Sequence, residues 1–212
     1  LKTLLEKGVK YNDNALLIAA QGSKRDANTI ETYKYLVENL KLKPTVTSKF
    51  GETVLHFLTN KTNQTEIINY FLEKGVDANK TDNQGNTPLM IAAAKETAVL
   101  ELLLPITKNI NLQNNKGEAA LTIAVKSGTP EAVALLLSKD TAVNVQDKDG
   151  INLAFYLIQS YNPQTNRDSE ASKQDPFTTT TKLLPDNGLN LATPHKDGNT
   201  PSHLSIATTD LT

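Results

Sequence analysis

The 212-residue chain has no cysteine, which excludes disulfide frameworks, thiolate metal sites and cysteine nucleophiles together. Tryptophan is also absent, and Arg25 and Arg167 are the only arginines among 22 basic residues. Arginine makes most bidentate contacts to guanine edges, and aromatic rings stack bases, so this poverty argues against a nucleic-acid partner. A formal net charge of −1 gives no uniform field to draw in phosphate backbones or anionic lipids. No apolar run approaches the roughly 20 residues that cross a bilayer, and no signal peptide is visible, so membrane insertion is not expected. The compartment stays open, because a chain without cysteine suits oxidising and reducing surroundings alike. The chain starts at Leu1 within what reads as a helix, so further sequence upstream is expected. With 38% hydrophobic and 21% charged residues, the composition is that of a folded globular chain.

What is present is repetition. GETVLHFL starts at Gly51, GNTPLMIA at Gly85, GEAALTIA at Gly117, GINLAFYL at Gly150 and GNTPSHLSIA at Gly198, at spacings of 34, 32, 33 and 48 residues. A fainter copy, NDNALLIAA, starts at Asn12, and each copy is followed by a second apolar burst such as EIINYFLEKG or EAVALLLSKD. Self-similarity at this period marks a tandem array whose units bury their apolar faces only against neighbours. Asp82, Asn114 and Asp147 each stand three residues before a glycine, turn chemistry that tolerates positive φ and builds a tight hairpin-like finger. Thr87 and Thr200 are placed to cap helices whose first position is Pro88 or Pro201, where a missing N–H costs nothing. Leu89, Ile91, Ala92 and Ala93 predict a short helix that lets a neighbour approach closely. Val99, Leu102, Leu103 and Leu104 predict a second, longer apolar stripe, and Gly75 and Gly188 are expected to end such helices.

Thr87-Pro88-Leu89-Met90-Ile91-Ala92 and Thr200-Pro201-Ser202-His203 resemble the T-P-L-H-x-A signature of the ankyrin repeat, a turn plus two antiparallel helices. GVDANKTDNQGNTPL, from Gly75 to Leu89, is the strongest single match. Other copies depart: Thr53-Val54-Leu55-His56 lacks the proline, Ala119-Ala120-Leu121-Thr122 keeps only the leucine, and Asn152-Leu153-Ala154-Phe155 keeps almost nothing. The resemblance covers essentially the whole chain. It implies an all-α solenoid of stacked helix-turn-helix units with hairpin-like loops, in a single domain. The expected units are a partial repeat at 1–11, repeats at about 12–46, 47–80, 81–113, 114–146 and 147–194, and a partial repeat at 195–212.

Two insertions break the array between first and second helices: Gln21 to Thr29, and Tyr161 to Phe177 within YNPQTNRDSEASKQDPF. Both arginines lie in them. They read as surface loops of tolerated length, and a functional role there would give a second contact edge. Asp175-Pro176 then supplies a cap and first-turn proline, although Thr178 to Thr181 is a poor helix-forming run.

Chemistry has few candidates. His56 and His203 occupy the signature histidine position, where the ring is expected to bond to the finger and cap residues. His195 stands beside Asp197, with no nucleophile or third ligand placed near it. Neither paired carboxylates in an apolar pocket nor a Gly-rich phosphate loop occurs. No catalytic residue, cofactor or metal ligand is therefore assigned, and an enzyme is not expected. Asn60-Lys61-Thr62, Asn63-Gln64-Thr65 and Asn79-Lys80-Thr81 match the glycosylation sequon, as composition alone produces in an Asn- and Thr-rich chain. The same Asn-rich, Lys-over-Arg bias points to an AT-rich bacterial genome.

Function then falls to surface. The resemblance implies that a monomer reads a protein partner on its concave face, through finger residues beside the glycine and exposed positions near the end of the first helix. Carried over, these are Lys49, Phe50, Glu52 and Lys61; Asn83, Gln84, Asn86 and Lys95; Asn115, Lys116, Glu118 and Lys126; Lys148, Asp149, Ile151 and Gln159; and Lys196, Asp197 and Asn199. Phe50 and Ile151 stand out, because an apolar side chain left wet at a finger tip forgoes about 1 kcal/mol or more of burial. Two alternatives remain open: a targeting or scaffold segment of a larger enzyme or toxin, and a hydrolase site around His195.

Overall fold

The computed structural model describes residues 12–22, 29–95, 97–159 and 176–190 with Ala192, Pro194 and Gly198, giving only backbone at 176–178. Expectations for 1–11, most of both insertions, Thr200, Pro201, His195 and His203 lie outside the described residues.

The array folds as helix pairs. Asn14–Gln21 (α1) precedes Ile30–Lys34 (α2), and Val54–Leu58 (α3) precedes Thr65–Glu73 (α4). Pro88–Ala93 (α5) is followed by Thr97–Leu103 (α6), and Ala120–Ser127 (α7) by Pro130–Leu137 (α8). Leu153–Gln159 (α9) and Pro176–Asp186 (α10) complete the described part. First helices pack in one row, α1–α3–α5–α7–α9, and second helices in another, α2–α4–α6–α8–α10. Each helix therefore buries its apolar stripe against its partner and the adjacent units, the condition under which helices this short are stable.

Local sequence sets the ends. The Thr87 hydroxyl accepts the Met90 N–H at 3.3 Å, with Pro88 at the first helical position. Asn152 does the same work for α9, accepting the Phe155 N–H at 3.1 Å. Gly75 and Gly188, at φ 84° and 85°, follow α4 and α10 as left-handed helix ends. α10 runs straight through Thr178–Thr181 because Thr180 and Leu184 are buried, and packing overrides poor propensity.

One apolar cluster threads the layers. Leu16, Leu55, Leu89 and Leu121 fill the signature position of successive first helices, and Leu36, Phe71, Leu100, Val133 and Leu184 answer from the second row. Tyr33 and Phe71 meet edge to face with centroids 5.4 Å apart, joining α2 to α4. In α5, Met90 joins Leu89, Ala92 and Ala93 inside and Ile91 is left half-buried. In α6, Leu100 fills the inner stripe and Leu102 is only half-buried.

Asparagines tie the layers behind the second helices. The side-chain oxygens of Asn79, Asn111 and Asn144 accept the backbone N–H of Lys108, Ala142 and Asn190 at 2.8, 2.8 and 2.7 Å. Asn79 also donates its amide to the Ile106 carbonyl at 3.0 Å. Its sequon is thus a structural tie, and a glycan on that nitrogen would break it.

Candidate functional site

The opposite edge carries the fingers. In each, a side-chain oxygen three residues before the glycine folds the turn. Asp82 Oδ1 accepts the N–H of Gln84 and of Asn86, each at 2.8 Å. Asn114 Oδ1 accepts Lys116 and Glu118 at 2.9 and 3.0 Å, and Asp147 Oδ1 accepts Asp149 and Ile151, both at 2.9 Å. Ser48 Oγ takes the part in the first described finger, at 3.1 and 3.2 Å from the N–H of Phe50 and Glu52.

Fingers then bond to one another. The N–H of Asn83 donates to Phe50 O at 2.8 Å, Asn115 to Gln84 O at 2.8 Å and Lys148 to Lys116 O at 3.0 Å. Such close approach leaves no room for a side chain at the finger glycine. A Cβ on Gly117, whose φ is 81°, would lie 2.6 Å from Lys148 N. The rigid row of fingers and the ends of the first helices form the face on which side chains are displayed.

On that face a groove of about 480 Å³ lies between the fingers of Gly85 and Gly117 and the end of α7. Gln84, Asn86, Asn115, Lys116, Glu118 and Lys126, all named by the sequence pattern, come together there, with Asn114, Ile123 and Ser127 completing the lining. Glu118 sits at its floor, 7% exposed. One carboxylate oxygen forms an ion pair with Lys126, and the other accepts Asn114 Nδ2 at 3.1 Å. Burial pushes the Glu118 carboxyl up, but the bonds from Lys126 and Asn114 outweigh it and hold the group below its ordinary range. Lys126 also stands over the Tyr156 ring, 4.5 Å from its centroid, and the Tyr156 hydroxyl donates to Asp147. Burial and that bond push the Tyr156 phenol up. A polar chain thus crosses three fingers, from Asn86 through Asn114 (2.9 Å), Glu118, Lys126 and Tyr156 to Asp147.

The remaining sequence-derived positions divide. Phe50 is 57% exposed, with Lys49 Nζ 4.9 Å from its ring centroid. Asn83, Lys95, Lys148, Asp149 and Gln159 are exposed along the same face. Ile151, Lys61, Glu118 and Glu52 are less exposed than the pattern implies. Ile151 is half-buried and packs against the core, since a finger base that is polar elsewhere is apolar here. Lys61 reaches the Gly22 carbonyl at the end of α1, 2.5 Å away, and burial lowers its pKa. Glu118 is a buried floor residue rather than an exposed reader. Glu52 is half-buried and accepts Ser48 Oγ at 2.8 Å. Lys196, Asp197 and Asn199 lie outside the described residues. Ile123 was missed by the sequence pattern. Its signal was the isoleucine that recurs directly before an alanine of the first helix, at Ile18, Ile91 and Ile123.

His56 is bonded on both sides. Its Nδ1 accepts the Thr53 N–H at 3.1 Å, which leaves Nε2 to donate to Asn86 O in the next finger at 3.1 Å. Burial lowers its pKa, holding the ring neutral. Among the described residues no cluster of His, Asp and Glu is arranged to hold a metal ion, and no helix is long and apolar enough to cross a membrane.

Helix pairs in two rows, joined by a ladder of fingers, define a repeat protein whose displayed surface is a finger row. The sequence model of the family described as ankyrin repeats (3 copies) matches residues 16–114 and 55–149, together more than half of the chain. The chain belongs to the ankyrin-repeat family. It is similar to Inhibitor of Apoptosis OPG037 of vaccinia virus (strain Western Reserve), 31% identical over 106 residues, 48% of this chain and 22% of that protein. It is also similar to the nuclear factor NF-kappa-B p105 subunit of Gallus gallus, 28% identical over 158 residues, 73% of this chain and 15% of that protein. The crystal structure of EF0377, an ankyrin repeat protein, matches with a TM-score of 0.75 over 94% of each chain at 21% identity, a likeness of fold alone. The chain spans less than a quarter of the length of these curated relatives. Both are viral or avian, so they lend no support to the bacterial origin expected from composition. Ankyrin repeats are a general protein–protein interaction module.

Proposed function

We propose that the chain is a non-enzymatic, monomeric recognition module that docks a partner protein on its finger/first-helix face. The observation that carries this is the groove in which Gln84, Asn86, Asn115, Lys116, Glu118 and Lys126 converge on one rigid ladder of fingers. Phe50, exposed on the same row, is the apolar anchor. Exposed rings beside adaptable polar groups are what interface hot spots are made of. By sequence register the proposed set also includes Lys196, Asp197 and Asn199, which lie outside the described residues. Affinity capture with the chain, using Phe50→Ser as control, tests the reading: capture should fail with the variant, and equal capture would place the site elsewhere.

A second reading is supported by length. Because the chain spans less than a quarter of the OPG037 and p105 relatives, on this reading it would serve as the targeting or scaffold segment of a longer polypeptide. The mass of the endogenous protein, measured by immunoblot, decides between a free module and a segment.

A further inference from the structure

Among the described residues, the finger-face carboxylates other than Asp149 are engaged within the fingers themselves. Asp82 Oδ1 accepts two backbone N–H groups and Oδ2 accepts Asn86 Nδ2 at 3.1 Å. Asp147 holds its own turn and the Tyr156 hydroxyl, Glu52 accepts Ser48, and Glu118 is closed off by Asn114 and Lys126. A carboxylate whose lone pairs already accept donors has little left to offer an incoming cation, and those donors counter its field. The lysines are placed differently. Lys49, Lys95 and Lys116 are exposed, and none forms an ion pair with a carboxylate among the described residues. Asp149 is exposed too, but it stands at the far finger beside Lys148.

At the groove this asymmetry becomes local. Lys116 on the finger and Lys126 at the end of α7 flank the half-buried Ile123, with Glu118 closed beneath. An incoming carboxylate would meet two lysines here, with the half-buried Ile123 beside them. An incoming Arg or Lys would meet Lys116 and would have to displace Lys126 from a nearly buried partner, which is costly. Apolar side chains recur along the same first-helix register at Ile18, 68% exposed, and at the half-buried Ile91. We propose that the segment bound on this face is acidic: a stretch of a partner protein in which Asp or Glu side chains meet Lys95, Lys116 and Lys126 and interspersed apolar residues lie along the first helices. This rests on the docking reading above and specifies its partner.

The test is selection of random phage-displayed peptides on the intact chain at low salt, followed by fluorescence anisotropy of the recovered peptides. The variants are Lys95→Glu with Lys116→Glu, Phe50→Ser, and Lys108→Glu with Lys139→Glu as a control of equal charge change. All the altered side chains are exposed, so folding should survive, and circular dichroism checks this. Peptides enriched in Asp and Glu, weakened about tenfold or more by the first pair and by high salt but not by the control, support the proposal. Neutral or basic peptides that still depend on Phe50 overturn the acidic partner and leave the docking reading standing. Peptides indifferent to every finger variant overturn both. A single-stranded DNA oligonucleotide that competes the peptides off with equal affinity also overturns the proposal, because the face would then be reading phosphate.

Discussion

The backbone N–H of Asn115 donates to the carbonyl of Gln84 at 2.8 Å, so one finger hangs on the next through main chain, and the Asn115 side chain adds a bond to the Asn83 carbonyl at 2.9 Å. The Gln84 side chain is exposed on the displayed face, and the spacing between fingers is set by backbone contact. Gly85 eases that contact, since a Cβ there would lie 3.0 Å from Asn115 N, closer than ordinary packing.

Gly117→Ala should therefore cost on the order of 3 kcal/mol, from left-handed strain plus a clash with Lys148 N. Gly75→Ala carries the same strain but meets nothing within 4 Å and should cost about 1 kcal/mol. Urea denaturation of the two variants checks the difference. Equal losses would mean that the fingers do not stack as described.

The finger glycines were the most legible part of the sequence because two constraints, positive φ and backbone contact, fall on one residue. The helix caps were legible where Thr-Pro survived, as at Thr87-Pro88, and obscured where Asn152 performs the task without the signature. The candidate surface was readable in register and less so in environment. Ile151 looked exposed because its register is polar in neighbouring units, yet its side chain reaches the core. Lys61 looked free because its partner, the carbonyl of Gly22, lies 39 residues away in sequence. Ile123 was hidden among apolar residues that local pattern cannot sort into wall and core.

His56 gives a pH test. Its folded pKa is lowered below the ordinary 6.5, so the unfolded chain binds the proton first. Its contribution to stability is complete above about 6.5 and is lost as pH falls from there toward the folded pKa. Wild type should lose stability on mild acidification more steeply than His56→Gln. Parallel curves would remove the ring from the linkage.

Lys126→Met should destabilise the chain by about 2 kcal/mol at neutral pH, since Glu118 is left buried and charged without its partner. The loss should shrink under acid as that carboxyl takes a proton. Adding Glu118→Gln should recover part of it, and a double-mutant cycle measures the coupling. Additive losses would show that the pair does not interact.

Phe50→Ser should leave the unfolding free energy within about 0.5 kcal/mol, because the ring is exposed. It should nonetheless weaken partner binding by about 2 kcal/mol. Leu100→Ala, at a fully buried position, should cost about 2–5 kcal/mol of stability with binding per folded molecule unchanged. Titration calorimetry beside denaturation separates these effects.

Amide hydrogen exchange of the chain, with and without a captured partner, addresses the docking face most directly. Protection is predicted at the fingers of Gly85 and Gly117 and at the end of α7, with α4, α6 and α8 unchanged. Protection confined to the second-helix row, with the fingers exchanging as before, would contradict the account.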